Sequence, residues 1–319
     1  MIADTFSLEK FTQRKPTEAE IESLIEAGRN SNSALQELCS CADEVRRINL
    51  GTKTTHEAAF NAVVPCTLDP LCRYCPYWRN EHQRPITLES VLHNVSYLQN
   101  ETSIRQFHLS GGSTPHVGDE GMMALIRGIR AAGFNDMCIV VNCGACFTPE
   151  ELAELKSLDV LRVFSVFETT DPELFSAMKP GDDLERKKQF ARDIARAGLH
   201  VGTGLMAGLG DHEKRPGLYA RSLAYLSTME GLDCLYISKF RHAQNIEINS
   251  HPECPLDEAL ALVACARLML PSIHIRAAAG WRQGEAAQAA AAGAGNLVMG
   301  PSFSQSIDTS CFSEQEKRS

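Results

Sequence analysis

Apolar positions first recur at helical spacing and then, further along the chain, fall into short runs separated by amphipathic stretches. Thr17 with Glu20 three residues on forms a capping-box pattern, and Ile21, Leu24 and Ile25 follow on one face as far as Gly28. A second helix is expected from about Ser33 to Ile48, ending near Gly51. Beyond it, β-branched or apolar runs predict strands near 62–65, 106–109, 138–142, 161–167, 201–206, 234–240, 273–278 and 296–299. Each but the last precedes a helical pattern, such as 121–132, 149–157 or 184–197. Strands alternating with helices imply parallel pairing and right-handed crossovers, so eight units predict an α/β fold, the (β/α)8 TIM-type barrel; an open doubly wound sheet is the competing arrangement. The expected organisation is an N-terminal helical extension over 1–60, the barrel over 61–300, and a polar closing loop and tail over 301–319.

In a barrel the chemistry sits at the C-terminal ends of the strands. Those ends here read Pro65-Cys66, Ser110-Gly111-Gly112-Ser113, Asn142-Cys143-Gly144-Ala145-Cys146, Glu168-Thr169-Thr170, Met206-Ala207-Gly208 and Gly280-Trp281-Arg282. Charge narrows what they could meet. Lys plus Arg is 31 against Asp plus Glu 40, a net charge of -9, which leaves no basic footprint for a phosphate backbone and argues against nucleic acid as a partner. The least polar stretch, 286–300, is small Ala and Gly interrupted by Gln288 and Asn296, short of the ~20 apolar residues of a membrane span. The first 16 residues show no apolar signal core, so a cytoplasmic location without membrane contact is expected. Twelve cysteines in 319 residues are too sparse for a disulfide scaffold, so their spacing carries the information.

Cys66, Cys72 and Cys75 stand within ten residues, on a loop containing Pro70 and followed by Pro76. Three thiolates so close suit an iron–sulfur cluster in which one iron lacks a protein ligand. His82 leaves a Cys3His zinc site open as an alternative, and a redox disulfide is a third.

With these motifs in order the chain resembles the radical S-adenosylmethionine (SAM) enzymes, whose cysteine motif follows the first strand and whose Gly-Gly motif follows the second. The runs Glu168-Thr-Thr-Asp-Pro-Glu-Leu-Phe, Lys179-Pro-Gly and Gly204-Leu-Met-Ala-Gly-Leu-Gly210 are similar to the biotin-synthase-like branch, which includes the HydE and PylB families. Most of the superfamily has three residues between its first two cysteines. The five between Cys66 and Cys72 resemble the HmdB (HcgA) family, associated with the iron-guanylylpyridinol cofactor of [Fe]-hydrogenase.

The resemblance implies a barrel binding a [4Fe-4S] cluster through Cys66, Cys72 and Cys75, with SAM on the fourth iron. Reductive cleavage would give a 5′-deoxyadenosyl radical acting on a small polar molecule, with an electron donor such as ferredoxin or flavodoxin. It places Tyr74 and Met206 against adenine, the Ser110, Gly111, Gly112 and Ser113 turn against the methionine ammonium group, and Glu168 against polar parts of SAM. Lys187 falls where the HydE-like pattern has a SAM-contacting arginine, so a bidentate clamp becomes a point charge. Read alone, the paired glycines would be a plain turn and Met206 a core residue.

Biotin synthase also holds a [2Fe-2S] sulfur donor, whose cysteine positions fall at His108, near Val141 and at Gly202, while Arg276 matches its arginine ligand. Loss of those thiolates argues against sulfur insertion by that route. Arg276, inside the barrel, calls for an anionic substrate group or a carboxylate partner. His108 and Asn142 are expected to line the cavity, either binding substrate or as satisfied interior groups. Cys143 and Cys146 cannot complete another cluster alone; they read as a redox pair or as core cysteines. Two further functions stay open: HydE- or PylB-like rearrangement or carbon–sulfur chemistry on an amino-acid-derived substrate, and a metal-binding scaffold or carrier, which would have no use for the Gly-Gly motif or Glu168.

Overall fold

The computed structural model describes residues 8–61, 63–77, 79, 86–113, 121–248, 250–295 and 297–303. Thr17 accepts the Glu20 N–H while the Glu20 carboxylate accepts the Thr17 N–H, and this reciprocal cap starts helix α1 (Glu18–Asn30). Ser31 caps α2 (Asn32–Leu50), which stops at Gly51 in the left-handed region, φ 67°. The buried faces of both helices, Ile21 and Ile25 on one and Leu38 and Val45 on the other, pack on α9 (Leu256–Met269).

The barrel strands are β1 (Thr55–Phe60), β2 (Gln106–Ser110), β3 (Cys138–Asn142), β4 (Val160–Phe164), β5 (His200–Ala207), β6 (Leu232–Lys239), β7 (His274–Ala277) and β8 (Leu297–Phe303). Between them run α3 (Leu88–Glu101), α4 (Met122–Ala131), α5 (Pro149–Ser157), α6 (Pro172–Met178), α7 (Leu184–Arg196), α8 (Arg215–Leu226), α9 and α10 (Glu285–Ala289). All ladders are parallel, in the order β7-β6-β5-β4-β3-β2-β1-β8; β7 lies beside β8 with no ladder between them among the described residues. This is the (β/α)8 barrel, and the open sheet is excluded. The outer core fills the space between strands and helices. A second, smaller cluster of Val140, Phe164, Cys234, Tyr236 and Leu297 packs apart from it, contributed by β3, β4, β6 and β8.

Three strand positions differ from expectation. The first lies at Thr55–Phe60 and not at 62–65, where Val63 and Val64 are buried in a bend beyond the strand. Its pattern hides because the inward-facing Glu57 is charged and fully buried. β4 ends at Phe164, three residues early, and β8 runs on to Phe303. The barrel therefore begins within the segment expected to be a helical extension. No helix among the described residues is long and apolar enough to cross a membrane.

Arg267, fully buried on α9, donates to the carbonyls of Gly293, Leu270, Pro271 and Ile273 at 2.8–3.2 Å, tying α9 to the approach to β7 and to the turn before β8. Replacing it by Met strands those acceptors in the core. Arg267→Met should lower unfolding free energy by about 3 kcal/mol, read as a lower urea midpoint at unchanged slope.

Candidate active site

The loop after β1 is seated by a continuation of the β1–β2 contact. Val63 N–H donates to the Ser110 carbonyl (3.0 Å), Gly112 N–H to the Val64 carbonyl (2.9 Å) and Thr67 N–H to the Ser113 carbonyl (2.8 Å). Gly111 N–H in turn reaches the Asn142 carbonyl at 2.8 Å. A Cβ on Gly111 would overlap Val64, and one on Gly112 would overlap the backbone and Cβ of Cys66. The paired glycines are thus required by the approach of the cysteine loop itself, before any ligand is considered.

On its other side the loop rests on the turn after α6. Arg73 N–H donates to the Met178 carbonyl (2.9 Å), and a Cβ on Gly181 would overlap Asp69 and the Pro70 carbonyl. The longer Cys66–Cys72 spacing therefore has a seat of its own. Arg79 donates to the carbonyls of Cys72 (2.8 Å) and Cys75 (2.9 Å) and pairs with Glu247 at 3.1 Å. Nothing in the sequence marks Arg79 for this role, since its targets are backbone atoms.

Cys66, Cys72 and Cys75 are half-buried and line one cavity with Ser110, Gly111, Gly112, Lys179 and Asp182. Burial raises the Cys72 thiol and pushes Cys75 up to about 12, and a bound metal's positive charge is what would favour their thiolates. Among the described residues no three His, Cys, Asp or Glu side chains gather as a single ion requires. Separated thiols on one cavity wall fit a polynuclear cluster, in which each binds its own iron. His82, the alternative fourth zinc ligand, lies outside the described residues.

Of the fourteen residues singled out from the sequence, Cys66 and Gly112 line that cavity of about 140 Å³, and the other twelve line a cavity of about 690 Å³ at the C-terminal ends of the strands. Cys72 and Cys75 border both. Glu168 sits at φ 66°, with its N–H on the Gly204 carbonyl (2.8 Å) and its carbonyl accepting the Met206 N–H (3.0 Å). That pins a strained residue between two points of β5. Its Oε2 is buried without a hydrogen-bond partner; burial raises its pKa against the pull of Lys179 and Lys187. Both lysines are buried and share Asp182, at 2.9 and 3.2 Å. Burial, then repulsion by Lys179, lowers Lys187 to about 8. Lys179 also donates to the Val166 carbonyl (3.2 Å). Lys179 belonged to a motif visible in the sequence, but Asp182, which joins the two lysines, did not stand out.

On the cavity floor Glu57, fully buried, pairs with Arg276 and accepts from the Tyr236 hydroxyl (2.5 Å) and Gln106 Nε2 (2.6 Å). The Arg276 guanidinium lies 3.7 Å from the Tyr236 ring centroid. Of the two partners foreseen for Arg276, an anionic substrate group or a carboxylate, the structure supplies a carboxylate of the chain itself. His108 packs by Tyr236 and Phe164, ring centroids 5.5 and 5.6 Å away, and its buried Nε2 has no partner. Burial outweighs Glu57 and lowers His108 to about 4, so the imidazole is neutral. A Cβ on Gly202 would overlap the Phe164 ring, leaving no room for a cysteine ligand there.

Comparison with known proteins agrees with this architecture. Residues 62–219 match the profile of the Radical SAM superfamily. The chain is 25% identical over 217 residues to the uncharacterized protein MJ0785 of Methanocaldococcus jannaschii, covering 66% of this chain and 56% of that one. It is 22% identical over 256 residues to biotin synthase of Yersinia pestis, covering 78% and 72%. The chain thus spans little more than half the length of the first relative. Among solved structures it overlays methylornithine synthase (PylB) with a TM-score of 0.79 at 19% identity, covering 92% of this chain and 85% of that one. HydG from Carboxydothermus hydrogenoformans overlays at 0.77 and 18% identity, covering 97% and 72%. These likenesses show the fold.

Two tests follow from the geometry. Gly112→Ala pushes a methyl group into the Cys66 backbone, an overpacking worth about 1–3 kcal/mol; iron loading should fall while far-ultraviolet circular dichroism stays native. For His108, the folded chain holds the ring neutral down to about pH 4, whereas the unfolded chain takes up the proton near pH 6.5. Acid therefore destabilises the fold through this residue in that window, by up to about 2 kcal/mol between pH 7 and pH 5. Urea midpoints of His108→Gln should fall less over that interval than those of the wild type.

Proposed function

We propose, on the match of residues 62–219 to the Radical SAM superfamily, that the chain is a radical SAM enzyme using a [4Fe-4S] cluster and SAM, cleaving SAM reductively to act on a small polar molecule in cofactor biosynthesis. The observation that carries this reading is the common wall formed by Cys66, Cys72 and Cys75 against the Gly111–Gly112 seat, facing the cavity that contains the unpaired Glu168 carboxylate. When bound, the cluster supplies the electron that breaks a carbon–sulfur bond of SAM and releases the 5′-deoxyadenosyl radical.

The chain's own residues then have distinct tasks. Cys66, Cys72 and Cys75 hold the cluster. Tyr74 and Met206 offer apolar surface for adenine, and Glu168 Oε2 accepts hydrogen bonds from the polar parts of SAM. Ser110, Gly111, Gly112 and Ser113 present backbone to the methionine ammonium group, and Lys187 places one positive charge for its carboxylate. Deeper in, His108 Nε2 and Asn142 bind a polar substrate, and the internal neutralisation of Arg276 by Glu57 favours one with no net charge at the floor.

The five-residue Cys66–Cys72 spacing, with its seat on Gly181, supports placement near the HmdB (HcgA) family and a role in assembling the iron-guanylylpyridinol cofactor of [Fe]-hydrogenase. Electrons would come from a small donor such as ferredoxin or flavodoxin. The likeness to the methylornithine synthase fold favours a second reading, rearrangement or carbon–sulfur chemistry on an amino-acid-derived substrate. Sulfur insertion from a second cluster is disfavoured by the crowded Gly202. A scaffold or metal carrier has no use for the SAM-facing groups.

Anaerobically reconstituted protein should give a [4Fe-4S]+ electron paramagnetic resonance signal that changes on adding SAM, with 5′-deoxyadenosine formed. Replacing Cys66, Cys72 and Cys75 by Ala should abolish both while circular dichroism remains native. Retained cleavage in that variant, or bound zinc with no cluster in the wild type, would sink the assignment.

A further inference from the structure

Beyond β3 the chain makes a tight turn, Cys143-Gly144-Ala145-Cys146, that no step above uses. The Cys143 and Cys146 Sγ atoms are 3.4 Å apart, and Cys146 also reaches the Cys143 carbonyl at 3.3 Å. Both are buried, at 1% and 7% exposure, and both are free thiols. A disulfide requires the sulfurs to close to roughly 2.0 Å, a shift local side-chain rotation can supply. Elsewhere in the barrel a buried cysteine such as Cys234 packs in the core among Val140, Phe164 and Tyr236.

The surroundings give the pair an approach and a lever. Cys146 lines a cavity of about 270 Å³ that it shares with Thr67 and Asp69 of the cysteine loop, Ser113, Asp182 and Arg186. Cys143 lies deeper; its hydrogen bond with Cys146 and its burial both push its thiol pKa well up. Between them Gly144, at φ 82°, has its α-carbon so close to Ser113 that a Cβ would overlap that side chain. Ser113 in turn accepts Thr67 N–H, next to Cys66, and the Asn142 carbonyl holds Gly111 N–H. The turn bearing the two thiols is therefore the backing of the Gly-Gly seat.

We propose that Cys143 and Cys146 are a reversible dithiol–disulfide site whose state is transmitted through Gly144 to the seat of the cysteine loop. With a small-molecule disulfide as oxidant, the Cys146 thiolate attacks one of its sulfurs, forming a mixed disulfide and releasing one thiol. Cys143 then attacks the Cys146 sulfur, the protein disulfide forms, and the second thiol leaves. Two protein thiols are oxidised, one small-molecule disulfide is reduced to two thiols, and the two protons pass to the departing thiols. The disulfide itself does not depend on the proposed function; only its effect on SAM does.

The test equilibrates anaerobically reconstituted protein with a series of reduced-to-oxidised glutathione ratios and blocks free thiols with iodoacetamide. The tryptic peptide 131–156, which also contains Cys138, is then mapped. The expected species carries a Cys143–Cys146 link that dithiothreitol removes. If both remain alkylated at ratios where exposed Cys138 already carries glutathione, the proposal is overturned. Equilibrium dialysis adds the second arm: oxidation should change SAM affinity by about fivefold in the wild type and leave the Cys143→Ala/Cys146→Ala variant unaffected. The same oxidant dependence in both would overturn the transmission. Peptide mapping needs no SAM cleavage, so its failure is distinct from a failure of the enzymatic reading.

Discussion

Everything at the mouth of this barrel depends on how closely two backbones approach, the one entering the cysteine loop and the one leaving β2. With no side chain on Gly111 or Gly112, Val64 and Cys66 can lie directly on the turn, and three backbone hydrogen bonds extend the parallel pairing beyond the strands. The first cysteine is consequently placed by backbone contact with a rigid strand end. Cys72 and Cys75 are placed differently, by Arg79 on their carbonyls and by the Gly181 turn beneath Asp69 and Pro70. A loop held from two sides presents its thiols in one geometry, which is what preorganised ligation requires.

The same interior is rich in ionic groups, and nearly all of those described above are matched locally. Glu57 offsets Arg276, Asp182 is shared by Lys179 and Lys187, and Glu285 meets Lys239 at 2.9 Å. Under the loop after β5, Arg215 and Glu258, both buried, meet at 3.2 Å, and Tyr219 links Glu258 to the Gly208 N–H. Burying any one of these charges alone would be strongly unfavourable, so each pair acts as a fixed dipole. Against that background the Oε2 of Glu168 and the Nε2 of His108 are buried without a hydrogen-bond partner on residues that line the large cavity.

The alternation of elements was legible because helix caps and apolar periods are local: Thr17 and Glu20 announce α1, and Pro149–Ser157 is bounded as its sequence suggests. The first strand was not, because the residue that spoils its pattern, Glu57, is neutralised by Arg276, 219 positions away. The same distance hid the fate of Arg276, whose need for a partner was evident while its identity was not. The cysteine spacing named the chemistry, but Arg79, Asp182 and Tyr236 act through carbonyls, shared carboxylates and ring faces. Such contacts have no sequence period, and only the closed barrel brings them together.

One feature of the ring itself has a mechanical side. Among the described residues seven parallel ladders join the strands, while β7 and β8 meet without one. Hydrogen-bonded strand pairs fix their register through the backbone, whereas a join without a ladder relies on side-chain packing. Because β7 carries Arg276 while its partner Glu57 stands on β1, beyond β8, that buried ion pair crosses the seam and ties by side chains the one join that backbone pairing leaves open among the described residues.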